Sequence, residues 1–303
     1  MANRSTEARE FLKPEVVSRI KNLEFIARMI VEGFMVGLHK SPFHGFSVEF
    51  SEHRQYMPGD NIRDIDWKVY GRTDRFYIKQ YEEETNLKAY LLLDVSGSMR
   101  YSSHGVSKLD YARYLAAALG YLFIKQRDAV GLGLFSDRLE KFLPPRSTSG
   151  YLKFLLQTLQ QVESGEKRTH VSDVLHTVAE RIKRRGLIII LSEFLYEEPE
   201  AILEGIRHFR HYQHEVLVFN ILDPQEIAFR FKDEVRFVDL ESGEEVKTQP
   251  YFIRDAYRQL IQEFYATLQK GCREMLVDFQ TLFTDEPFDV ALMRYLVKRK
   301  RLY

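Results

Sequence analysis

From residue 86 onward, short apolar runs alternate with stretches of helical period, and this restricts the chain to very few folds. The runs are Lys88–Asp94, Ala129–Phe135, Leu187–Leu191 and Val216–Leu222, each rich in Val, Ile, Leu or Phe. Near-continuous apolar character over so few residues predicts strands buried on both faces. Between them, residues 108–126, 150–162, 171–184 and 198–212 carry apolar positions at helical spacing. Strand and helix in strict alternation predict an α/β fold with a doubly wound, mostly parallel sheet and helices on both faces. A weaker strand is expected at Val235–Leu240, and further helices at about 251–270 and 287–300.

The first 85 residues differ in texture. Pro14 suits the first turn of a helix because its missing N–H would be unsatisfied there. Val16, Ile20, Leu23, Ala27, Ile30 and Phe34 then form one stripe, predicting a helix over 14–34. Residues 35–85 are punctuated by Gly37, Gly45, Gly59 and Gly71. Phe46, Val48 and Phe50 alternate with polar residues, as do Phe76 and Ile78, and Pro58-Gly59-Asp60-Asn61 is a turn signal. A small, charge-rich antiparallel β-layer is expected. The chain thus divides into 1–85 (helix and β-layer), 86–245 (α/β domain) and 246–303 (C-terminal helices packed on that domain).

Forty-four basic and 44 acidic residues give zero formal charge, which argues against a protein built to coat nucleic acid. The single cysteine, Cys272, excludes an internal disulfide framework and cysteine-based zinc or iron–sulfur sites, and reads as a buried thiol. Met1 to Lys13 lacks an apolar signal core, and the run Leu115–Ile124 is too short to span a bilayer, which takes about 18 apolar residues. The expectation is a soluble, cytoplasmic protein without membrane insertion.

In an open parallel sheet, ligands bind outside the carboxyl ends of the strands. Those ends carry Asp94-Val95-Ser96-Gly97-Ser98, Ser136-Asp137, Ser192-Glu193 and Asp223. All the polar donors are oxygens, the ligand type preferred by Mg²⁺, Mn²⁺ or Ca²⁺. Alternate residues of Asp-x-Ser-x-Ser can point to one side of a tight turn, giving one carboxylate and two neutral hydroxyls. An ion so held is electron-poor and can accept a carboxylate from another molecule. The competing reading is that these serines cap the next helix.

The Asp94-x-Ser96-x-Ser98 run after a buried strand resembles the metal-ion-dependent adhesion site of von Willebrand factor A domains. Upstream stand Gly37-Leu-His39-Lys-Ser41-Pro42, Gly45-Phe-Ser-Val-Glu49-Phe50 and Arg54-Gln-Tyr56-x-Pro58-Gly59-Asp60. Arg63-x-Ile65-Asp66-Trp67, Arg72-Thr73, Tyr81-Glu82-Glu83-Glu84 and Asp223-Pro224-x-Glu226 follow. Together they resemble domain-of-unknown-function family 58, in its compact form without transmembrane segments. Members often accompany MoxR-type AAA+ ATPases.

The resemblance implies a von Willebrand A-like fold with Asp94, Ser96, Ser98 and Thr169 as metal ligands. Glu193 stands where an aspartate is usual. Its extra methylene carries the carboxylate about 1.5 Å farther, so it either contacts the ion directly or misses it. The implied function is a non-enzymatic, metal-dependent interaction module, an adaptor between a MoxR-type ATPase and a client protein. The segment 49–84, with Arg54, Asp60, Arg63, Asp66, Trp67 and Arg72, would offer a second partner surface.

Two alternatives remain from the residues alone. One is a metal-dependent hydrolase or nuclease using Asp60, Asp64, Asp66, Lys68 and Glu82 to Glu84; the other is a metal-free scaffold. His208, His211 and His214 are spaced too widely around a helix to converge on one ion and read as a solvated helix end. His104, in the loop after the first motif, is near enough in sequence to approach the metal site but reads first as a plain loop histidine.

Overall fold

The computed structural model describes residues 12–38, 53–55, 70–72, 76–79, 87–165, 171–195, 197–231, 235–240 and 243–300. The first described elements are α1 (Pro14–Val17) and α2 (Leu23–Leu38), and a short ladder pairs β1 (His53–Gln55) antiparallel with β2 (Tyr77–Lys79). The main body follows as β3 (Lys88–Asp94), α3 (Lys108–Lys125), β4 (Ala129–Phe135), β5 (Leu139–Arg146) and α4 (Ser149–Gln160). It continues through α5 (Val171–Arg181), β6 (Leu187–Ser192), α6 (Pro199–His211), β7 (Glu215–Leu222) and α7 (Pro224–Ala228). The chain ends with β8 (Val235–Val238), β9 (Glu245–Thr248), α8 (Pro250–Glu274), β10 (Asp278–Phe283) and α9 (Phe288–Lys300).

Six strands form one sheet in the order β10-β7-β6-β3-β4-β5, parallel except for β5. Numbered by appearance within the sheet and read from the β5 edge, the order is 3-2-1-4-5-6, that of a doubly wound α/β domain. Alternation along the strands divides the core. Leu91 and Leu93 face a layer made by α2, α3, α4 and α9, while Tyr90 and Leu92 face α5, α6 and α8. The expected doubly wound α/β architecture is therefore present.

Three local expectations are corrected. The helix over 14–34 is broken at Ser18–Asn22, because the Asn22 side chain accepts the Phe25 N–H at 3.0 Å and starts a new helix. The stripe nevertheless stays in the core at Leu23, Ala27, Ile30 and Phe34. Residues 246–303 are not only helices. They also supply β10, whose Phe279 and Leu282 are buried on opposite faces of the sheet. The weaker strand expected at Val235–Leu240 is present as β8 and pairs with β9 in a separate two-stranded ladder, outside the main sheet.

His214 is the third correction. It is buried beyond the end of α6, not solvated. Its Nδ1 accepts the Gly186 N–H at 3.2 Å, and its Nε2 lies 3.1 Å from the Ile182 carbonyl oxygen, to which it donates. Gly186 is required there: a Cβ would stand 2.4 Å from the Lys88 carbonyl oxygen. Both imidazole nitrogens are used by the neutral ring, and burial lowers its pKa. The folded-state value thus lies below that of an unfolded chain's histidine, about 6.5. The stability it contributes is complete above that value and is lost as pH falls below it. Urea unfolding should show wild type losing more stability than His214→Gln between about pH 7.5 and about pH 5.5. Equal losses would contradict this account of His214.

Candidate metal centre

The chain winds outward from β3 in one direction as far as β5, then returns to β6 on the other side and winds out to β10. The crevice between the carboxyl ends of β3 and β6 is therefore the topological switch point, where such sheets bind ligands. Asp94 ends β3 and Ser192 ends β6.

The Asp94 carboxylate is held from two sides. Its Oδ1 accepts the Ser96 N–H at 3.0 Å, and its Oδ2 accepts the Ser192 hydroxyl at 2.6 Å. The Ser96 and Ser98 hydroxyl oxygens lie 3.0 Å apart. Asp94, Ser96 and Ser98 thus form one cluster, as the spacing requires. The capping alternative does not describe Ser96: it precedes the 3₁₀ turn Gly97–Arg100, yet its side chain makes no capping hydrogen bond. The helix that follows is capped instead by Ser107, which accepts the Asp110 N–H. Burial pushes the Asp94 carboxyl up to about 6; the hydrogen bonds from Ser192 and Ser96 oppose this and the charge of Glu193 adds to it.

The cluster is more enclosed than an open rim. Asp94, Ser96 and Ser98 are 1, 0 and 4% exposed. Gly165 lies across the motif, its N–H donating to the Val95 carbonyl at 2.7 Å and its carbonyl accepting from Arg100 at 2.9 Å. Thr169 lies outside the described residues, as do Asp60, Arg63, Asp64, Asp66, Trp67, Lys68 and Glu82 to Glu84. Of the proposed second surface, Arg54 falls on β1 and Arg72 is exposed.

Glu193 does not join the Asp94 cluster. Its carboxylate forms a buried ion pair with Lys108, the first residue of α3. The same ammonium bonds both Glu226 carboxylate oxygens, at 2.8 and 2.9 Å. A cation at a helix N-terminus meets the positive end of the helix dipole, so this lysine depends on those two partners. Burial works against the charge of Lys108, yet Glu193 and Glu226 together raise its pKa. Burial likewise pushes Glu226 up to about 7, against the pull of Lys108. Tyr265 closes the group by donating to the Glu193 carbonyl oxygen at 3.1 Å.

The Asp223-Pro224-x-Glu226 run acquires a mechanical role. Asp223 starts α7 in a capping box with Glu226. It also clamps the loop after the serine motif, accepting the Ser103 hydroxyl at 2.6 Å and the Ser103 N–H at 2.8 Å. His104 stands 3.6 Å from the same carboxylate. Ser136 is spent on the β4–β5 turn, bonded to Asp137 and Glu140. Lys108 is the site residue that sequence reasoning missed. A lone lysine in the first turn of a helix carries no motif, and only the fold brings it to two glutamates distant in sequence.

The family description "Protein of unknown function DUF58" matches residues 52–267, more than half of the chain. The chain belongs to the DUF58 family. Uncharacterized proteins of Mycobacterium bovis and Mycobacterium tuberculosis are 25% identical over 292 residues, covering 95% of this DUF58 chain and 91% of theirs. Among solved structures, BatB from Bacteroides thetaiotaomicron shares 14% identity at a TM-score of 0.46, covering 71% of this chain and 99% of that one. An aerotolerance-related membrane protein from Bacteroides fragilis shares 16% at 0.48, covering 68% and 94%. The SpRpn10 VWA domain shares 10% at 0.40, covering 68% and 93%. At these values the fold assignment rests on the strand order itself. No described helix of this DUF58 protein is long and apolar enough to cross a membrane.

Proposed function

We propose that this protein is a non-enzymatic interaction module whose Asp94–Ser96–Ser98 cluster holds a divalent cation, with a MoxR-type AAA+ ATPase as its associate. The observation that carries this reading is the convergence of one carboxylate and two hydroxyls at the switch point of the sheet, at the end of β3. The donor set is oxygen only, which fits a hard cation such as Mg²⁺, Mn²⁺ or Ca²⁺. Among the described residues no three Asp, Glu, His or Cys side chains gather into a metal cage, so the hydroxyls are an essential part of any such site.

Asp94, Ser96 and Ser98 would hold the ion, with Ser192 fixing the orientation of the Asp94 carboxylate. A bound ion would supply a Lewis-acid centre able to take a carboxylate from a partner. With the cluster at most 4% exposed, that carboxylate reaches it only as the neighbouring loops part. The titratable groups of the site are already engaged: Asp94 by Ser96 and Ser192, and Lys108 by two glutamates. This arrangement favours holding over proton transfer.

The test is capture of a purified MoxR-type ATPase on immobilised protein. Wild type in Mg²⁺ should retain it, and Asp94→Ala or EDTA should release most of it. Equal retention in all cases would end the ion-bridging part of the proposal while leaving the association intact. No retention by wild type would end both.

A further inference from the structure

We propose that Lys108 is the resident counter-ion of Glu193. It holds this carboxylate off the Asp94–Ser96–Ser98 cluster and leaves the cluster, among the described residues, with the single carboxylate of Asp94. The inference rests on the reading of that cluster as an ion site and specifies its charge.

Glu193 directly follows Ser192, whose hydroxyl is bonded to Asp94, so its backbone lies beside the cluster. Its side chain nevertheless ends on Lys108, and both residues are almost wholly buried, at 2 and 1% exposed. Moving Glu193 onto an ion would leave a buried ammonium with only Glu226. Breaking one side of a buried ion pair is costly, so the glutamate stays with the lysine. Glu226 does not replace it at the cluster, because both its oxygens are on the same ammonium and it caps α7 together with Asp223. Burial works against the charge of Lys108, but Coulomb attraction and hydrogen bonds to Glu193 and Glu226 outweigh it and keep the ammonium charged.

The consequence is chemical. A divalent ion beside Asp94 alone would keep a net positive charge and would favour an anionic outside ligand, namely a carboxylate from a partner. The longer side chain at position 193 thereby selects for an acidic partner.

Isothermal titration with Mn²⁺ tests this on the full chain, using Asp94→Ala as the control for the site. Glu193→Gln should bind Mn²⁺ within about twofold of wild type, whereas loss of a true ligand costs about tenfold or more. The double variant Lys108→Met/Glu226→Gln frees Glu193 and removes one unpaired charge. It should bind about tenfold more tightly than wild type, and adding Glu193→Gln should abolish the gain. A loss of about tenfold or more in Glu193→Gln, or no gain in the double variant, overturns the inference. Binding by wild type that Asp94→Ala removes upholds the ion site independently. If wild type binds no Mn²⁺, the ion-site reading fails in the free protein, and the double variant alone decides the role of Lys108.

Discussion

Replacing Lys108 by methionine is expected to destabilise the fold by about 3–5 kcal/mol. The ammonium is buried between Glu193, 2% exposed, and Glu226, 19% exposed. Methionine keeps the packing of the stem, so the loss reflects charge and not a cavity. What remains is two carboxylates facing each other without their cation, one in an almost dry environment. Because the pair is buried, added salt should restore little of the loss. Lys108→Met/Glu226→Gln should recover a large part, since one of the stranded charges is gone. Urea unfolding of the three proteins measures this. A loss below about 1 kcal/mol would place the lysine among weakly contributing surface pairs and would refute its structural role.

The strands of the main sheet that were legible in the sequence share one property: they are buried on both faces. β3 and β4 fall at Lys88–Asp94 and Ala129–Phe135, as expected from their apolar runs, and β6 and β7 differ by one residue at an end. Both unforeseen strands of the main sheet lie at its edges. β5 contains Pro144 and Pro145, which break a central strand but are tolerated where one side needs no ladder partner. β10 has only two fully buried residues, Phe279 and Leu282, a weaker signal than a continuous run.

The same limit applied at the site. Asp94, Ser96 and Ser98 could be read because they are neighbours in sequence. The pairing of Lys108 with Glu193 and Glu226 joins positions 85 and 118 residues apart, and no local pattern announces it. The place of Glu193 followed from the family likeness, but its direction did not. A methylene more than aspartate allowed contact with an ion or none, and the fold settles its side chain on an ammonium. His214 failed for a related reason, since its spacing from His208 and His211 says nothing of Gly186 and Ile182, which hold it.

Removal of the Asp94 carboxylate should abolish divalent-ion binding, the largest functional effect expected. It supplies the only anionic oxygens of the Asp94–Ser96–Ser98 cluster, and the two serine hydroxyls cannot offset the dehydration of a divalent ion by themselves. Asp94→Asn keeps the shape of the side chain and an oxygen for one of its two hydrogen bonds, so it separates the loss of charge from structural damage better than Asp94→Ala. The most direct measurement is thermal unfolding of wild type and Asp94→Asn, each in EDTA and in saturating Mn²⁺, with acetate present as a surrogate for a partner's carboxylate. At one hundred times its dissociation constant an ion should stabilise wild type by about 2.7 kcal/mol, seen as a rise in Tm that Asp94→Asn lacks. An unchanged Tm in wild type, or an equal rise in both proteins, would contradict the assignment of the ion site to Asp94 and its two serines.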